Sequence, residues 1–185
     1  MKEFFDKTKS PLIFPRPVTL VTSHSGEGDN IITLSWVGTV CSVPPVVGIG
    51  IRKSRFSYSH IEKSGEFVVN IPGADLIREA DFCGTRSGRD IDKFKKTGLT
   101  KEHAKLVNAP LIKECPINIE CKLIKTVIFG SHTLFLGEVV GTHIDEKILR
   151  EGKFDDEKFQ PLAYLSPHYF TVKKIEGEYG FTKDS

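Results

Sequence analysis

Seven short runs of apolar and β-branched residues, each stopped by turn residues, constrain the fold of this chain most strongly. The run at 46–51 (VVGIGI) is continuous and apolar, and the run at 66–71 (EFVVNI) ends at Pro72-Gly73. Runs of this length and composition, bounded by proline or glycine, are typical of strands. Strands are predicted over residues 18–23, 31–43, 46–51, 66–71, 117–128, 132–143 and 169–175. Many short strands with tight turns favour a barrel or a sandwich, and we expect a β-barrel.

Helices are predicted to be few and short. Ser54 or Ser57 is a candidate N-cap for a helix that ends near Ser64, because serine side chains satisfy the first free N–H groups of a helix. Short helical segments are also predicted over 74–83 and 90–96, and an exposed charged loop with one helical turn over 145–160.

The charge balance argues against a nucleic-acid partner. The 26 Lys and Arg residues are offset by 24 Asp and Glu residues, which leaves a net charge of +2, whereas proteins that bind nucleic acid carry a basic surface. The lysines at Lys93, Lys95, Lys96 and Lys101 are flanked by acidic residues, so we expect them to form a solvated face.

The chain is predicted to be one domain over residues 1–185, because no linker, repeat or low-complexity tract divides it. No run approaches the roughly 18 apolar residues of a membrane helix. Glu3 and Asp6 stand where a signal peptide would be apolar. A cytoplasmic protein without membrane contact is therefore expected.

The four cysteines and six histidines predict no metal site, since neither a CxxC pair nor an HExxH motif occurs. Alternate positions along residues 115–123, at the start of the strand predicted at 117–128, form two sets. One set is Cys115, Ile117, Ile119, Cys121 and Leu123, and the other is Pro116, Asn118, Glu120 and Lys122. Alternate residues of a strand point to opposite faces. The first set predicts a buried face on which cysteine serves as a small hydrophobic residue.

Residues 31–42 (IITLSWVGTVCS) place hydroxyl groups beside the only tryptophan. Thr33 and Ser35 share strand parity, while Leu34 and Trp36 point the other way. Hydroxyl and N–H groups hydrogen-bond the polar edge of a planar ligand, and aromatic rings cover its face. The alternative is a half-exposed strand in which threonine serves only its β propensity.

The segment Arg52-Lys53-Ser54-Arg55 stands directly before a predicted helix. A helix N-terminus offers free N–H groups and a partial positive charge, to which arginine and hydroxyl groups add. The segment predicts a phosphate site, although not one of the P-loop or GxGxxG kind. The alternative is an ordinary capped surface helix.

Six segments, taken together, are more specific than any single motif. They are PRPVTLVTS (15–23), NIITLSW (30–36), CSVPPVVGIGIRKSRFSYSHI (41–61), GEFVVNIP (65–72), FCGTRSGRDIDKF (82–94) and HTLFLGEVV (132–140). In this order they resemble the flavin reductase-like family, whose fold is the FMN-binding split barrel. The chain is most similar to the flavoredoxin branch of that family.

The resemblance implies a mainly β protein, a six-stranded split β-barrel of Greek-key character with a few short helices. It implies a homodimer with FMN, or FAD as the alternative, held near the dimer interface. By the same resemblance, the flavin ring is lined by Thr33, Leu34, Ser35 and Trp36, its polar edge is approached by Cys41 and Ser42, and its phosphate is held by Arg52, Lys53, Ser54 and Ser57. The flavin is closed over by Ser87, Arg89, Asp90 and Lys93, from the same chain or its partner, with His132 near the ring and Tyr164 and His168 on the nicotinamide side.

The function that the resemblance implies is an oxidoreductase that takes a hydride from NADH or NADPH onto FMN. Electrons then pass to a flavin, ferric iron or a redox protein partner. The cofactor carries this chemistry, so no side chain is required as a catalyst, with His132 and His168 the candidates if one exists. Two alternatives remain: a flavoredoxin-type electron carrier that oxidises no nicotinamide itself, and a flavin-binding protein without a redox partner.

Overall fold

A computed structural model describes residues 3–4, 11–155 and 157–172. The strands are β1 (Arg16–Pro17), β2 (Thr19–Ser25), β3 (Gly28–Leu34), β4 (Val37–Ser42), β5 (Pro45–Ile51), β6 (Glu66–Ile71), β7 (Lys101–Glu102), β8 (Leu111–Ile112), β9 (Ile117–Ile128), β10 (Thr133–Ile144), β11 (Leu149–Arg150), β12 (Lys153–Phe154), β13 (Leu162–Leu165) and β14 (His168–Thr171). The helices are α1 (Phe56–Ser64), α2 (Ile77–Thr85) and α3 (Lys93–Thr97), with short 3-10 helices at Ala74–Leu76 and Glu146–Ile148. Over this described part of the chain, each helix is too short or too polar to cross a bilayer.

Seven strands form one antiparallel sheet in the order β3-β2-β6-β9-β10-β5-β4. Its two edges, β3 and β4, are consecutive in the chain and are joined only by Ser35-Trp36. This connection reaches roughly 10 Å, whereas the edges of a flat seven-stranded sheet lie roughly 28 Å apart. The sheet therefore coils until its edges meet at Ser35-Trp36, which produces a barrel that is split between β3 and β4.

The prediction of a mainly β barrel with a few short helices is confirmed. The strands predicted at 66–71 and 117–128 have those bounds in the structure. The run predicted as one strand at 31–43 is instead divided at Ser35-Trp36, because the chain crosses there from one sheet edge to the other. This division gives seven strands in the barrel sheet rather than six. The last predicted strand is present as β14, and its predicted residues beyond 172 lie outside the described residues.

The interior of the coiled sheet is an apolar core shared by the strands and α1. Fully buried side chains from the wall, such as Val21, Ile49 and Phe135, meet Tyr58 and Ile61 of α1. The rings of Tyr58 and Phe135 lie 5.2 Å apart between centroids. This burial holds α1, and the residues that precede it, against the barrel.

A second core lies on the opposite face of β2 and β3. There Leu20 and Ile31 pack with Ala80 and Cys83 of α2. Thr33 Oγ1 donates to the Ala80 carbonyl oxygen at 2.5 Å, which ties α2 to β3. β2 is therefore buried on both faces, although its buried residues include Thr19, Thr22 and Ser23.

The predicted serine cap of α1 is wrong. The N-cap residue is Arg55, and no side chain caps the helix. Ser57 is buried in the first turn, where its hydroxyl accepts from Asn30 Nδ2 at 2.8 Å. Because the Ser57 hydroxyl bonds to Asn30 of β3, it does not cap the backbone N–H groups of α1.

The other predicted helical segments are present with altered bounds. The segment at 74–83 is a 3-10 turn followed by α2, which continues to Thr85. The segment at 90–96 is α3, which begins at Lys93 and is capped by Asp92, whose carboxylate accepts from Lys95 N. The loop predicted at 145–160 contains a 3-10 turn and also the hairpin of β11 and β12, which the sequence reasoning missed.

The strand parity of β9 predicted only one of its two buried faces. Asn118 and Glu120, on the opposite parity from Cys121, are also buried. Asn118 Nδ2 donates to Asn70 Oδ1 at 2.8 Å. The segment before β9 packs over this face of the strand. Asn118 and Glu120 therefore hydrogen-bond to protein groups instead of water.

Gly137→Ala is expected to destabilise the fold. A Cβ atom at Gly137 would lie 2.5 Å from Phe67 Cζ and 3.0 Å from Cys121 Cβ, inside the barrel core, and overpacking of this kind costs about 1–3 kcal/mol. Urea denaturation measures the free energy of unfolding. Gly26→Ala is the control, because a Cβ there meets nothing within 4 Å. An unfolding free energy equal to that of the wild type for Gly137→Ala would show that the core tolerates the methyl group.

Candidate functional site

A cleft of about 180 Å³ opens where the two sheet edges meet. We call it the split cleft, and its walls include Thr33, Leu34, Ser35, Trp36, Arg52 and His132. The crossing at Ser35-Trp36 brings these residues together, since β3 supplies one wall and the end of β5 the other. Five of the six are residues 33–36 and 52, and the sixth, His132, lies in the turn between β9 and β10.

Trp36 and His132 form the aromatic part of the split cleft. Their rings stack with centroids 4.2 Å apart and planes inclined by 24°. Gly50 allows this position, because a Cβ on it would lie 3.3 Å from Trp36 Cβ. Burial, together with the nearby Arg52 charge, lowers the pKa of His132. Arg52 Nε lies 3.4 Å from His132 Nε2, an arrangement suited to a neutral ring that accepts at this nitrogen.

A second cavity of about 230 Å³ adjoins the split cleft and is strongly cationic. We call it the cationic pocket, and its polar walls are Asn30, Ser54, Arg55, Ser57, Arg86, Ser87, Arg89 and Lys93. Among the described residues, its lining contains four cationic side chains and no carboxylate. It shares Ile32, Arg55 and Gly84 with the split cleft, so the two form one continuous groove.

Lys93 is buried in the wall of the cationic pocket, which corrects the expected solvated position. It is only 4% exposed, and its amine donates to the carbonyl oxygens of Ile31 at 2.8 Å and Cys83 at 2.7 Å. Burial lowers the pKa of Lys93 to about 8, with the Arg55 charge also acting in this direction. An ammonium group has three donors, so one remains for an anion in the pocket.

Arg89 stands at the far end of the cationic pocket. Its Nη1 donates to the Ser54 carbonyl oxygen at 2.9 Å, and its guanidinium lies 5.5 Å from the Phe56 ring centroid. Beyond Arg89 a third and wider cavity of about 660 Å³ begins. We call it the outer groove, and its side chains are Glu27, Asp29, Phe56, Arg89, Asp90, Ile91, Asp92 and Lys101.

Several residues predicted for the site do not line the split cleft or the cationic pocket. Cys41 and Ser42 are exposed at the end of β4, roughly 15–20 Å along the strand from Trp36. Lys53 is exposed and lines neither cavity, although its neighbours do. Asp90 lies in the outer groove instead.

Tyr164 and His168 also lie outside these cavities. Both belong to the small sheet of β1, β13 and β14. Tyr164 is paired with Arg16 across β1 and β13, and its ring lies 5.5 Å from that of Tyr169. His168 is exposed at the start of β14.

The cationic pocket confirms Arg55 of the predicted phosphate segment as a lining residue, and it contains two residues that the sequence reasoning did not assign to a site, Arg86 and Asn30. Arg86 lies within the segment at 82–94. Asn30 begins the segment at 30–36. Charge and hydroxyl content were the available signals, but only the packing of α2 against β3 shows that these residues face one cavity.

Three of the four cysteines are buried, and only Cys41 is exposed. Burial raises the pKa of Cys83 to about 11 and that of Cys121 to about 12, so these thiols stay protonated. Within residues 3–4, 11–155 and 157–172, no cluster of three or more His, Cys, Asp or Glu side chains is arranged to hold a metal ion.

The chain matches the family model described as a flavin reductase-like domain over residues 12–173. The structure of flavoredoxin from Methanosarcina acetivorans is 33% identical, with a TM-score of 0.89 and coverage of 98% of this chain and 97% of that one. Flavoredoxin of Desulfovibrio vulgaris (Miyazaki F) is 32% identical, with a TM-score of 0.90 over 100% of both chains.

A more distant structure bears on the fold alone. A structure with a split barrel domain from Shewanella frigidimarina is 23% identical, with a TM-score of 0.80 over 89% of this chain and 85% of that one. The coiled open sheet, the family model and the two flavoredoxin structures agree. The chain belongs to the flavin reductase-like domain family.

Proposed function

We propose that this chain is an oxidoreductase that binds FMN in the groove formed by the split cleft and the cationic pocket and uses NADH or NADPH. One observation carries the proposal: a cleft with hydroxyl and aromatic walls leads directly into a cavity to which the described part of the chain contributes four cations and no carboxylate. This order of surfaces suits a planar ring that is linked to a phosphate. The similarity to two flavoredoxins supports the same ligand.

The chain's own contribution is to bind and orient the flavin. Trp36 and His132 cover part of the ring, while Arg55, Arg89 and Lys93 neutralise the phosphate. A bound flavin supplies the redox chemistry, with a nicotinamide as hydride donor. Arg52, beside the neutral His132, places a positive charge at the ring end, where it favours the negative charge that a reduced flavin carries.

A second candidate function is electron transfer without nicotinamide oxidation. The specific observation in its favour is that two of the similar solved structures are flavoredoxins, at 32% and 33% identity. In that case the flavin would be reduced by a redox protein partner. The same binding groove serves both candidates.

Anaerobic reduction distinguishes the two functions. The purified protein is loaded with FMN, and its absorbance near the visible flavin maximum is followed after addition of NADH or NADPH. Rapid bleaching is the expected result. A flavin that stays oxidised with both nucleotides, and is reduced only by a protein donor, would favour the electron carrier. Failure to bind FMN would refute both functions.

Arg52→Ala and Arg89→Ala are expected to show which end of the groove binds the flavin ring and which end binds the phosphate. A charge-assisted hydrogen bond contributes about 1.5–3 kcal/mol. Because both side chains are solvent-exposed, we expect each substitution to reduce the binding free energy by an amount near the lower figure. Arg52→Ala should weaken both FMN and riboflavin, whereas Arg89→Ala should weaken only FMN, since riboflavin has no phosphate. Flavin fluorescence titration measures both affinities. Equal losses of both ligands in both variants would contradict this division.

We also propose that the chain forms a homodimer through the outer face of the barrel. Val40 on this face is 55% exposed. The side chains of Val40, Leu134 and Leu136 surround Gly48, because each lies 3.0–3.3 Å from the position that a Cβ atom on Gly48 would occupy. An exposed apolar surface of this kind is typical of an interaction site.

This apolar face continues into the split cleft. Gly50, two residues along β5 from Gly48, is covered by Trp36 in the same way. His132 shares strand parity with Leu134 on β10. A second copy on this face would therefore lie beside the proposed flavin ring.

Val40→Asp tests the dimer, because a charge on a buried apolar interface is costly. We expect a monomer by sedimentation velocity, with weaker FMN binding. Val172→Asp is the matched control, since Val172 is 52% exposed and follows β14, which belongs to a separate sheet from β4, β5 and β10. A wild-type monomer, or a dimer that survives Val40→Asp, would argue against this interface.

A further inference from the structure

A short chain of hydrogen-bond contacts stands at the ring end of the groove, and it begins at a residue outside the cavity walls. Ser131, in the turn between β9 and β10, is exposed and lines neither the split cleft nor the cationic pocket. Its Oγ lies 2.8 Å from Nδ1 of His132. The other ring nitrogen, Nε2, lies 3.4 Å from Arg52 Nε. We call these three linked side chains the Ser131 relay.

Arg52 fixes the direction of the hydrogen bonds in the Ser131 relay. A guanidinium group only donates, so Nε2 of His132 accepts and carries no proton. A neutral imidazole with a bare Nε2 carries its proton on Nδ1. That N–H then donates to Ser131 Oγ. The two contacts together therefore select one of the two neutral tautomers of His132.

The charges around His132 also favour its neutral form. The split cleft contributes the cations Arg52 and Arg55, and its lining includes no carboxylate from the described residues. A third cation, Arg16, lies 5.8 Å from the centroid of the Trp36 ring on which His132 stacks. Burial and the Arg52 charge both lower the pKa of His132. A proton on Nε2 would point at the Nε–H of Arg52 and break the Ser131 relay.

We propose that Ser131 is a positioning residue, which acts through His132 to fix the tautomer with a bare Nε2 and thereby orients both the imidazole on Trp36 and the Arg52 guanidinium. The inference rests on the proposed flavin binding and deepens it, because His132, Trp36 and Arg52 are the groups assigned to the flavin ring. Arg52 has five N–H donors, and the Ser131 relay engages only the one on Nε. The donors on its two Nη atoms are thereby directed to the ligand.

The tautomer of His132 in the flavin-free protein tests the Ser131 relay directly. Ring 15N chemical shifts at pH 8 distinguish a protonated nitrogen from a bare one, and His132→Gln identifies the signals among the six histidines. We expect a protonated Nδ1 in the wild type and in Ser131→Thr, which keeps the hydroxyl. Ser131→Ala should move the proton to Nε2, because Nδ1–H loses its acceptor. A proton that stays on Nδ1 in Ser131→Ala would overturn the inference.

The fluorescence of Trp36 provides a second measurement without flavin. Trp36 is the only tryptophan, and its stack on His132 makes its emission sensitive to the charge of the imidazole. Ser131→Asp should raise the pKa of His132, by roughly tenfold in proton affinity, because an adjacent carboxylate favours the charged ring. Ser42→Asp is the matched control, since Ser42 is an exposed serine at the far end of β4. The same pH midpoint in both variants would contradict contact between residue 131 and His132.

Riboflavin binding at pH 7 connects the Ser131 relay to the flavin site. We expect Ser131→Ala to weaken riboflavin about three- to tenfold, the equivalent of one neutral hydrogen bond. Ser131→Thr should bind it as the wild type does. An unchanged affinity in Ser131→Ala would overturn the positioning role and leave the proposed function intact. Failure of the wild type to bind riboflavin and FMN would refute the proposed function, and the tautomer measurement would still decide whether the Ser131 relay exists.

Discussion

Glu120→Ala is expected to lower the free energy of unfolding by about 3–5 kcal/mol, the range for breaking a buried charge network. The Glu120 side chain is fully buried. Its carboxylate accepts from the backbone N–H groups of Lys105, Leu106 and Val107 at 2.6–3.1 Å. Its Oε1 also lies 2.6 Å from His143 Nε2. Alanine leaves these donors without a partner and frees the segment that folds over β9.

Equilibrium urea denaturation at pH 7 measures this loss. Glu102→Gln is the control, because Glu102 is exposed and should change stability by less than about 0.5 kcal/mol. Glu120→Gln keeps the shape and one acceptor oxygen, so an intermediate loss is expected. A loss below about 1 kcal/mol for Glu120→Ala would show that water replaces the carboxylate at this position.

The effect of Glu120 should fade in acid. Burial by itself raises the pKa of Glu120, but hydrogen bonds from His143 and from the backbone of Lys105 and Leu106 outweigh it and hold the pKa below its usual value. A carboxyl group with a lowered pKa in the folded state stabilises above its unfolded pKa. This stabilisation is lost as the pH falls through the folded pKa, so the wild type and Glu120→Ala should converge there.

Lys93→Met is expected to weaken FMN binding by roughly 10- to 100-fold, the equivalent of about 1.5–3 kcal/mol for a charged hydrogen bond. The effect should exceed that of Arg89→Ala, because the Lys93 amine is buried and little screened by solvent. Fluorescence titration at pH 7 measures the loss. Riboflavin, which lacks the phosphate, is the internal control and should bind both proteins alike. An equal loss of riboflavin would show that the variant disturbs the fold of the groove.

The pH dependence of FMN binding provides a separate check on Lys93. Burial lowers its pKa to about 8 in the free protein, and a bound phosphate dianion would favour the protonated form. As the pH rises above about 8, binding requires proton uptake, so the affinity should fall by up to tenfold per pH unit. Lys93→Met should show no such fall between pH 7.5 and 9. The same slope in both proteins would assign it to another group.

The barrel and the cationic end of the groove were predictable from local patterns. Apolar runs such as 66–71 give strand positions because each strand is bounded by its own turn residues. The cluster around Arg52–Arg55 predicted a phosphate site because its charges are adjacent in the chain. Only Ser54 and Arg55 of this cluster line the cationic pocket, whereas Arg52 lines the split cleft. By contrast, the charge pattern around Lys93 predicted a solvated side chain, and only the family resemblance placed it at the flavin. The acidic residues beside Lys93 in sequence say nothing about the carbonyl oxygens of Ile31 and Cys83, to which its amine donates.

The sequence by itself determined the strand composition, the short turns and the residue types available for a flavin. Only the tertiary structure decided which of them meet. The crossing at Ser35-Trp36 closes the barrel around a split, and the packing of α2 and α3 on β3 carries Arg86 and Lys93 to the cationic pocket. The length of β4 places Cys41 and Ser42 at its far end, away from the cleft. The physical reason is that strand propensity and charge are local properties, whereas a cavity is formed by residues that long-range packing brings together.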